Sequence, residues 1–349
     1  MRFASAKVAR AVVDKAVAQG ITHLETAPAY GHSERYLGEA IRSRQHLVLT
    51  TKLTPTLSKT QVSQAVDQSL GRLNTACIDC LAVHGINTAG HLDWAMSEMM
   101  EPLKRAQADG RIRHIGFSTH GPLSLILEAI ATQSFSFVNL HYNYFFQRNE
   151  PAIALAHQHD MGVFIISPAD KAGLLYTPSD ALKSLCAPYD PLLLNYRWLL
   201  SDSRITTLSI GPATPSELDW PLQIADSDGP LSREEQQAIA RLEQAQIERL
   251  GSDRCSQCHQ CLPCPKAINI PEVLRLRNLA VAYDMTTYGQ YRYGMFENAG
   301  HWFWGRKGDR CTDCGDCLPH CPEQLDIPTL LRDTHQRLQG KKRRRLWDD

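Results

Sequence analysis

Two runs of cysteines carry the clearest chemistry in this sequence. The chain has 11 cysteines, and eight of them lie between residues 255 and 321, in the spacings C-x2-C-x2-C-x2-C-P and C-x2-C-x2-C-x3-C-P. Three cysteines at two-residue gaps can turn their sulfurs to one side of a looping backbone and bind three corners of an iron–sulfur cube. The fourth, fixed by its proline, would point away and complete the other cube. The predicted ligand sets are Cys255, Cys258 and Cys261 with Cys321, and Cys311, Cys314 and Cys317 with Cys264.

The two runs belong to an internal repeat. The segment CPKAINIPEVLR at 264–275 matches CPEQLDIPTLLR at 321–332 position by position, and a helical pattern follows each Ile-Pro. Such a duplication is typical of a pseudo-two-fold, ferredoxin-like unit with two clusters. The aromatic-rich segment 278–305 between the runs is expected to cover the clusters and to adjust their local dielectric.

Zinc and disulfides are the alternative interpretations of these cysteines. Zinc sites usually draw four ligands from two C-x2-C pairs separated by a longer loop, which runs of four that end in Cys-Pro do not match. Disulfides need an oxidising compartment, and residues 1–20 have charges spread through them instead of the apolar core of an export signal. A single retained cluster is a further alternative. The remaining cysteines are expected to be packing residues: Cys77, Cys80 and Cys186.

A second group of reactive side chains lies at or just after the C-terminal ends of predicted strands in the first 225 residues. The group consists of Glu25, Tyr30, Lys52 and His84. Because the C-terminal ends of parallel strands meet at one face of a barrel, we expect these side chains to converge there. An ammonium and an imidazole near a phenol lower its pKa, and a carboxylate keeps the lysine charged. The set therefore suits proton transfer to a carbonyl oxygen.

Seven short apolar runs supply the strands that position this group. They are rich in β-branched and aliphatic residues, and segments with apolar residues three and four apart separate them. The runs span residues 21–27, 46–53, 77–85, 112–119, 136–143, 162–169 and 206–213. This alternation predicts an α/β fold, a (β/α)8 TIM-type barrel whose first strand is short or missing. The predicted domains are the barrel at 1–225, a linker with a polar helix at 226–254, and a small α-rich ferredoxin-like dicluster module at 255–349.

Composition excludes two classes of function. Lys plus Arg and Asp plus Glu both number 37, so the formal net charge is zero and general nucleic-acid binding is not expected. No apolar run is long enough for a membrane span.

With no export signal, we expect a cytoplasmic protein. The basic run at 341–345 is expected to be a solvated terminus, with docking to an acidic redox protein partner as the alternative.

The stretches HLETAPAYGHSERYLGEAI, LTTKL, IDCLAVHG and GRIRHIGFSTHGP resemble the aldo/keto reductase superfamily. With the paired cysteine runs, the chain is similar to the branch that has a C-terminal 4Fe-4S ferredoxin-type domain. The resemblance implies an NAD(P)H-dependent oxidoreductase in which Tyr30 is the general acid, Lys52 lowers the pKa of Tyr30, and His84 orients the carbonyl. Glu25 stands where the family usually has Asp.

The resemblance also implies a binding site for NADPH or NADH. Ser118 and Asn139 would hold the nicotinamide carboxamide, with Asn139 standing where the family usually has Gln. The remaining predicted contacts would line the pyrophosphate and the adenosine: Ser167, Gly173, Gly211, Thr214 and Ser216. Thr214 precedes Pro215, a pattern that favours a phosphate at a helix start, although an ordinary capped helix is the alternative and Glu217 would repel an anion.

Two functions from different classes follow. A nicotinamide transfers two electrons as a hydride, whereas a cubane cluster carries them singly. The first function is NAD(P)H-dependent reduction of a small-molecule aldehyde or ketone, with two 4Fe-4S clusters that are structural or serve a redox protein partner. The alternative is an electron-transfer or redox-sensing iron–sulfur protein whose barrel has lost hydride chemistry.

Overall fold

The computed structural model describes residues 5–41, 46–169 and 175–343. By its internal contacts the chain divides into two compact units. The first consists of Met1–Pro168 and Leu199–Gly229 and holds the parallel sheet. The second consists of Ala169–Trp198 and Pro230–Asp349 and holds both cysteine runs. No helix within the described ranges is long and apolar enough to cross a membrane.

A single parallel sheet forms the centre of the first unit. Its strands follow chain order, so that each pairs with the next along the sequence. They are β1 His23–Glu25, β2 Val48–Leu53, β3 Ile78–His84, β4 Ile112–Ser118, β5 Phe137–His141, β6 Gly162–Ile166 and β7 Thr207–Ser209. Every predicted run contains one of these strands, and the predicted TIM-type α/β class is confirmed. Among the described residues the sheet has seven strands, with β1 and β7 at its edges.

Helices follow the strands as the apolar periodicity predicts. Those of the first unit are α1 Ala6–Ala18, α2 Ser33–Ala40, α3 Lys59–Leu73, α4 Ala89–Trp94, α5 Met100–Ala108, α6 Leu123–Ala131, α7 Glu150–Gln158 and the short α10 Asp219–Leu222. Helix α1 begins at Ser5, whose side chain accepts a hydrogen bond from the Val8 amide. Helix α3 begins with a reciprocal capping box between Ser58 and Gln61.

Side chains connect the two edges of the sheet. The buried residues Val12 and Ala16 of α1 pack against Leu218, which follows β7 in the chain. Lys15 of the same helix lies 2.5 Å from Asp219. Helix α1 therefore brings the start of the barrel onto the segment after its last strand, where apolar burial stabilises the contact.

The second unit is helical. It contains α8 Asp180–Cys186, most of α9 Pro191–Leu200, α11 Arg233–Leu250, α12 Ile270–Tyr283, α13 Thr286–Tyr293 and α14 Ile327–Leu338. Helix α11 is the polar helix predicted within 226–254, and it starts with the capping box between Ser232 and Glu235 that the sequence suggests. It packs against α8 and α12.

The internal repeat of the sequence is also a repeat of backbone conformation. Residues at equivalent places in the two halves adopt the same positive φ: Gln257 and Asp313 at 63° and 54°, His259 and Gly315 at 64° and 82°, Ala267 and Gln324 at 55° and 52°. Helices α12 and α14 begin in the same way, since the side chains of Asn269 and Asp326 accept hydrogen bonds from the amides three residues on. These turns direct the chain of each half around its cysteines.

Gly38 is expected to be a position where only glycine fits. A Cβ built on Gly38 of α2 would lie 2.5 Å from the Arg72 carbonyl oxygen, so the two helices approach closely there. We expect Gly38→Ala to destabilise the protein by about 1–3 kcal/mol through overpacking. Gly71 of α3 is the matched control, because a Cβ there meets nothing within 4 Å. Gly71→Ala should stabilise the helix by about 0.5–1 kcal/mol. Thermal unfolding of both variants measures this, and equal effects would contradict the close approach.

Candidate functional site

A buried ion pair occupies the C-terminal ends of β1 and β2. The Lys52 ammonium contacts the Glu25 carboxylate, and it also donates a hydrogen bond to the Thr26 carbonyl oxygen at 3.2 Å. The side chain of Lys52 is 2% exposed and that of Glu25 is 13% exposed. Two charges so far from water are stable only because each compensates the other.

Both members of the pair stay ionised. Burial alone would raise the pKa of Glu25, but the Lys52 ammonium outweighs burial and holds the pKa of that carboxyl below its usual value. Burial likewise acts to lower the pKa of Lys52, and the charge of Glu25, followed by Tyr30, reverses this so that the Lys52 pKa is raised. The ammonium therefore persists at neutral pH, as the sequence suggests for this lysine.

Two further donors hold the Glu25 carboxylate. The Asn139 amide nitrogen on β5 donates to Oε1 at 3.1 Å, and the Ser209 hydroxyl at the end of β7 donates to Oε2. The carboxylate of β1 is thus bound to β2, β5 and β7, and its bond to Ser209 joins the two edge strands. Sequence reasoning missed Ser209, although the signal was present, because it is a polar residue at the C-terminal end of the last predicted strand.

Tyr30 and His84 complete the group predicted as catalytic. Tyr30 ends a 3₁₀ helix at Pro28–Tyr30, and its ring centroid lies 5.7 Å from that of His84 at an interplanar angle of 88°. The Lys52 ammonium is 5.4 Å from the Tyr30 ring centroid. The structure therefore brings all four predicted side chains together at the strand ends, with a phenol beside an ammonium and an imidazole.

Ser118 and Asn139 lie on neighbouring strands with their Cα atoms in register. Both are buried. The Ser118 hydroxyl accepts a hydrogen bond from the Gly85 amide at 3.0 Å and keeps its own proton to donate. The Asn139 Oδ1 atom is buried and has no hydrogen-bond partner among the described residues. A buried amide oxygen without a donor is costly, and a ligand amide N–H would satisfy it.

The predicted contacts for the far end of the cofactor come after strands β6 and β7 in the chain. Ser167, directly after β6, has a positive φ of 54°, and Gly173 lies outside the described residues. Gly211 is exposed, and a Cβ added to it would meet nothing within 4 Å. The Thr214 and Ser216 hydroxyls are bonded to each other at 3.0 Å.

The start of the 3₁₀ helix at Pro215–Leu218 already has an anionic partner. The Ala213 amide donates to the Glu217 carboxylate at 2.9 Å. The backbone donor that a phosphate could use is therefore bound to a side chain of the same turn. A phosphate would have to displace this carboxylate, and it would meet a like charge while doing so.

Eight cysteines of the second unit surround two separate cavities. One cavity is lined by Cys255, Cys258, Cys261 and Cys321, together with apolar side chains of α12 and α14. The other is lined by Cys311, Cys314, Cys317 and Cys264, and Cys261 also reaches it. In both cavities the fourth cysteine comes from the opposite half of the repeat, which is the crossed arrangement that the spacing predicts.

Burial and neighbouring cysteines of the same cavity raise the pKa values of two of these thiols. Burial raises the pKa of Cys255 to about 11, and the cysteines that add to this effect are Cys258 and Cys321. Burial raises the pKa of Cys317 to about 11 as well, with contributions from Cys311, Cys264 and Cys314. All 11 cysteines are free thiols, so no disulfide competes for these sulfurs. Cys80 and Cys186 are buried, as expected for packing residues, and Cys77 is partly buried.

Removing the buried ammonium should cost far more stability than removing an exposed one. We expect Lys52→Met to destabilise the protein by about 3–5 kcal/mol, because it leaves the Glu25 carboxylate buried without a counter-charge. The control is Lys59→Met: Lys59 pairs with Glu101 at 3.2 Å, but about half of each side chain is exposed. That loss should stay within about 1 kcal/mol. Unfolding measurements on both variants make the comparison, and similar losses would contradict a buried pair.

The same variant should also invert the pH dependence. In the native protein the lowered Glu25 pKa contributes stability that is lost as pH falls through it. Without Lys52, burial raises the Glu25 pKa, and protonation of Glu25 should then restore part of the lost stability. The difference in unfolding free energy between the wild type and the variant should therefore become smaller as the pH is lowered from about 8 to about 5. A deficit that stays constant or grows over this interval would show that Glu25 is not the destabilised group.

Family models match both parts of the chain. The model described as "Aldo/keto reductase family" matches residues 2–244, and the model described as "4Fe-4S dicluster domain" matches residues 254–325. Among curated relatives, the uncharacterized oxidoreductase YqkF of Bacillus subtilis is 29% identical over 186 residues, 49% of this chain and 59% of that protein. L-galactose dehydrogenase of Arabidopsis thaliana is 31% identical over 119 residues, 31% of this chain and 37% of that protein. The chain thus spans 59% and 37% of the length of these two relatives, less than two thirds of each.

Solved structures show the same architecture. The aldo-keto reductase AKR11C1 from Bacillus halodurans, in its holo form, is 25% identical, with a TM-score of 0.60 over 68% of this chain and 87% of that one. An aldo-keto reductase from Klebsiella pneumoniae, solved in complex with NADPH, is 22% identical, with a TM-score of 0.57 over 68% of this chain and 85% of that one, which supports the fold. The resemblance noted in the sequence is confirmed. The chain belongs to the aldo/keto reductase family of oxidoreductases and carries a 4Fe-4S dicluster domain after the family region.

Proposed function

We propose that this protein reduces an aldehyde or ketone with a hydride from NADH or NADPH. The observation that carries the proposal is the convergence of a phenol, a buried ammonium, an imidazole and a carboxylate at the C-terminal ends of the first three strands. Polar side chains at that end of a barrel are where such folds place their chemistry. Membership in the family supports the same reaction class.

Tyr30 is the proposed proton donor to the carbonyl oxygen. The Lys52 ammonium lies 5.4 Å from the centroid of the Tyr30 ring, so a positive charge faces the phenol from which the proton would come. Glu25 keeps Lys52 protonated and fixed in place. His84, edge-on to the Tyr30 ring, is the proposed group that orients the substrate oxygen. Each side chain thus has one task in a general-acid step.

The residues present fit a nicotinamide. When bound, this group supplies the hydride that reduces the carbonyl carbon. The Asn139 Oδ1 atom, which has no partner of its own, is the proposed acceptor for the carboxamide N–H, and Ser118 is the proposed donor to the carboxamide oxygen. Because the Asn139 amide nitrogen is bonded to Glu25, the orientation of this side chain is fixed before the cofactor arrives. This preorganisation reduces the entropy lost on binding.

The charge of Glu217, in the turn that holds two of the proposed contacts for the far end of the cofactor, favours NADH over NADPH. The proposed contacts are Ser167, Gly173, Gly211, Thr214 and Ser216. The Glu217 carboxylate at the Ala213 amide would repel a 2′-phosphate. A carboxylate can instead accept a hydrogen bond from a ribose 2′-hydroxyl, as in many NAD sites.

The second unit is proposed to hold two 4Fe-4S clusters in its two cavities. Four cysteines around each cavity are the donor set that such clusters require. The proposed ligands of the first are Cys255, Cys258, Cys261 and Cys321, and those of the second are Cys311, Cys314, Cys317 and Cys264. Eight free thiols suit a reducing compartment, and the cytoplasm is our proposal. The clusters would be structural or would serve a redox protein partner.

One observation favours the alternative, an electron-transfer or redox-sensing protein whose barrel has lost hydride chemistry. The Glu217 carboxylate occupies the amide where a cofactor phosphate is expected, so nucleotide binding itself separates the two functions. The test is to titrate NADH and NADPH into the iron-loaded protein under anaerobic conditions and to measure binding by the fluorescence of the cofactor. The proposed reductase binds NADH, more tightly than NADPH. Binding of neither nucleotide would contradict it.

Tyr30→Phe tests the proton donor. We expect the rate of reduction of simple aldehydes to fall by about 10²–10⁴-fold, because the general acid is lost, with the Kd for NADH unchanged. The control is Tyr36→Phe, which removes a hydroxyl from α2, the helix that follows Tyr30 in the chain, and should leave both quantities as they are. Undiminished turnover by the Tyr30 variant would overturn the assignment of Tyr30.

A further inference from the structure

We propose that Gln257 and Asp313 tune the two clusters in opposite directions. Gln257 raises the reduction potential of the cluster bound through Cys255, and Asp313 lowers that of the cluster bound through Cys311. This inference rests on the proposed function in one respect, namely that both cavities bind 4Fe-4S clusters. It concerns what separates two halves that the sequence repeat makes alike.

The two residues occupy equivalent positions in the repeat. Each lies two residues after the first cysteine of its run, in C-S-Q-C and C-T-D-C respectively. Both have left-handed backbone, with φ of 63° at Gln257 and 54° at Asp313. In both halves the side chain turns back toward the sulfur of that first cysteine. The backbone is therefore conserved between the halves, while a neutral donor in one is replaced by an acid in the other.

Gln257 is held as a hydrogen-bond donor to sulfur. Its amide nitrogen lies 3.3 Å from Cys255 Sγ and 3.0 Å from the carbonyl oxygen of Pro271, at the start of α12. A carbonyl oxygen can only accept, so Pro271 fixes which end of the Gln257 amide faces the cavity, and the second amide hydrogen is left for the sulfur. Reduction adds negative charge that the ligand sulfurs share, and a hydrogen bond to one of them stabilises the reduced state.

Asp313 has the opposite effect in the other half. Its Oδ1 atom lies 3.9 Å from Cys311 Sγ. As a thiolate ligand Cys311 has no proton to offer, so the carboxylate faces a sulfur of its own sign and opposes added charge. Arg332 on α14 contacts Asp313 at 2.5 Å and compensates part of this charge, and both side chains are more than half exposed. The effect of Asp313 should therefore be the smaller of the two.

Another charged pair differs between the halves. Lys266 lines the cavity with Cys311, and its repeat equivalent Glu323 lines the cavity with Cys255. Their charges act against the proposed direction, but both residues are exposed, so solvent screens them. The direct hydrogen bond from Gln257 to a ligand sulfur is the stronger local influence, and variants at 257 and 313 isolate it because they leave Lys266 and Glu323 in place.

The test is an anaerobic redox titration of the iron-loaded full chain, followed by electron paramagnetic resonance. Gln257→Met removes the donor at nearly constant side-chain length. It should lower the midpoint potential of the cluster bound through Cys255 and leave that of the other cluster unchanged. Asp313→Asn should raise the midpoint potential of the cluster bound through Cys311, by less than the shift that Gln257→Met causes. The exchange variant Gln257→Asp with Asp313→Gln should move the two midpoints in opposite directions. Gln260→Met is the matched control, since Gln260 is an exposed glutamine of the same run, and it should move neither.

Each outcome of the titration is decisive. An analysis that finds fewer than about eight iron and eight sulfide per chain contradicts the two-cluster assignment, and with it the proposed function of this unit. If the iron content is complete, two results would overturn the role of Gln257 and leave the two-cluster assignment intact. One is an unchanged midpoint potential in Gln257→Met, and the other is an equal shift in Gln260→Met. Should the methionine variant fail to fold, Gln257→Glu keeps the shape of the side chain and should lower the same midpoint further, because a charge replaces the donor.

Discussion

The barrel site depends on one interaction, the contact between the Glu25 carboxylate and the Lys52 ammonium away from water. Neither charge could be buried alone, and each sets the ionisation of the other. The carboxylate also anchors Asn139 and Ser209, so one side chain of β1 is bonded to three other strands. Through Ser209 the contacts of Glu25 reach the far edge of the sheet. The proposed substrate site, the proposed cofactor site and the hydrogen bond between the two edge strands thus share a single polar centre.

The second unit is built on an internal repeat. A short motif is used twice, with the same left-handed turns, the same helix caps and the same crossing of the fourth cysteine to the opposite half. The symmetry fixes where sulfurs lie and leaves the residues between them to vary. Gln257 and Asp313 show what such variation can do, because they present a donor and an acid to equivalent sulfurs. Geometry and electrostatics are therefore set by different residues of one motif.

Much of this was predictable from sequence, for reasons that are local. The strands are short apolar runs, and the cysteine spacing predicts which sulfurs line each cavity. Lys52 and His84 lie near the C-terminal ends of their strands, and Tyr30 comes shortly after one. The role of Ser209 was not predicted because its partner, Glu25, is 184 residues away in the chain. No local sequence pattern indicates a contact between edge strands. The bond from Ala213 to Glu217 could be suspected from charge alone, but its occupation of the amide depends on a rotamer. Long-range hydrogen bonds and side-chain conformations are what the sequence leaves open.

The most direct test of the central ion pair is the titration of Glu25 itself. Glutamate labelled with ¹³C at the side-chain carboxyl, with the Glu25 signal assigned by Glu25→Gln, reports its ionisation by NMR as the pH is lowered. Our account predicts that this carboxylate stays ionised below the pH at which ordinary exposed glutamates take up a proton, about 4.3. A Glu25 signal that titrates at that pH or above it would contradict a buried, mutually stabilised pair.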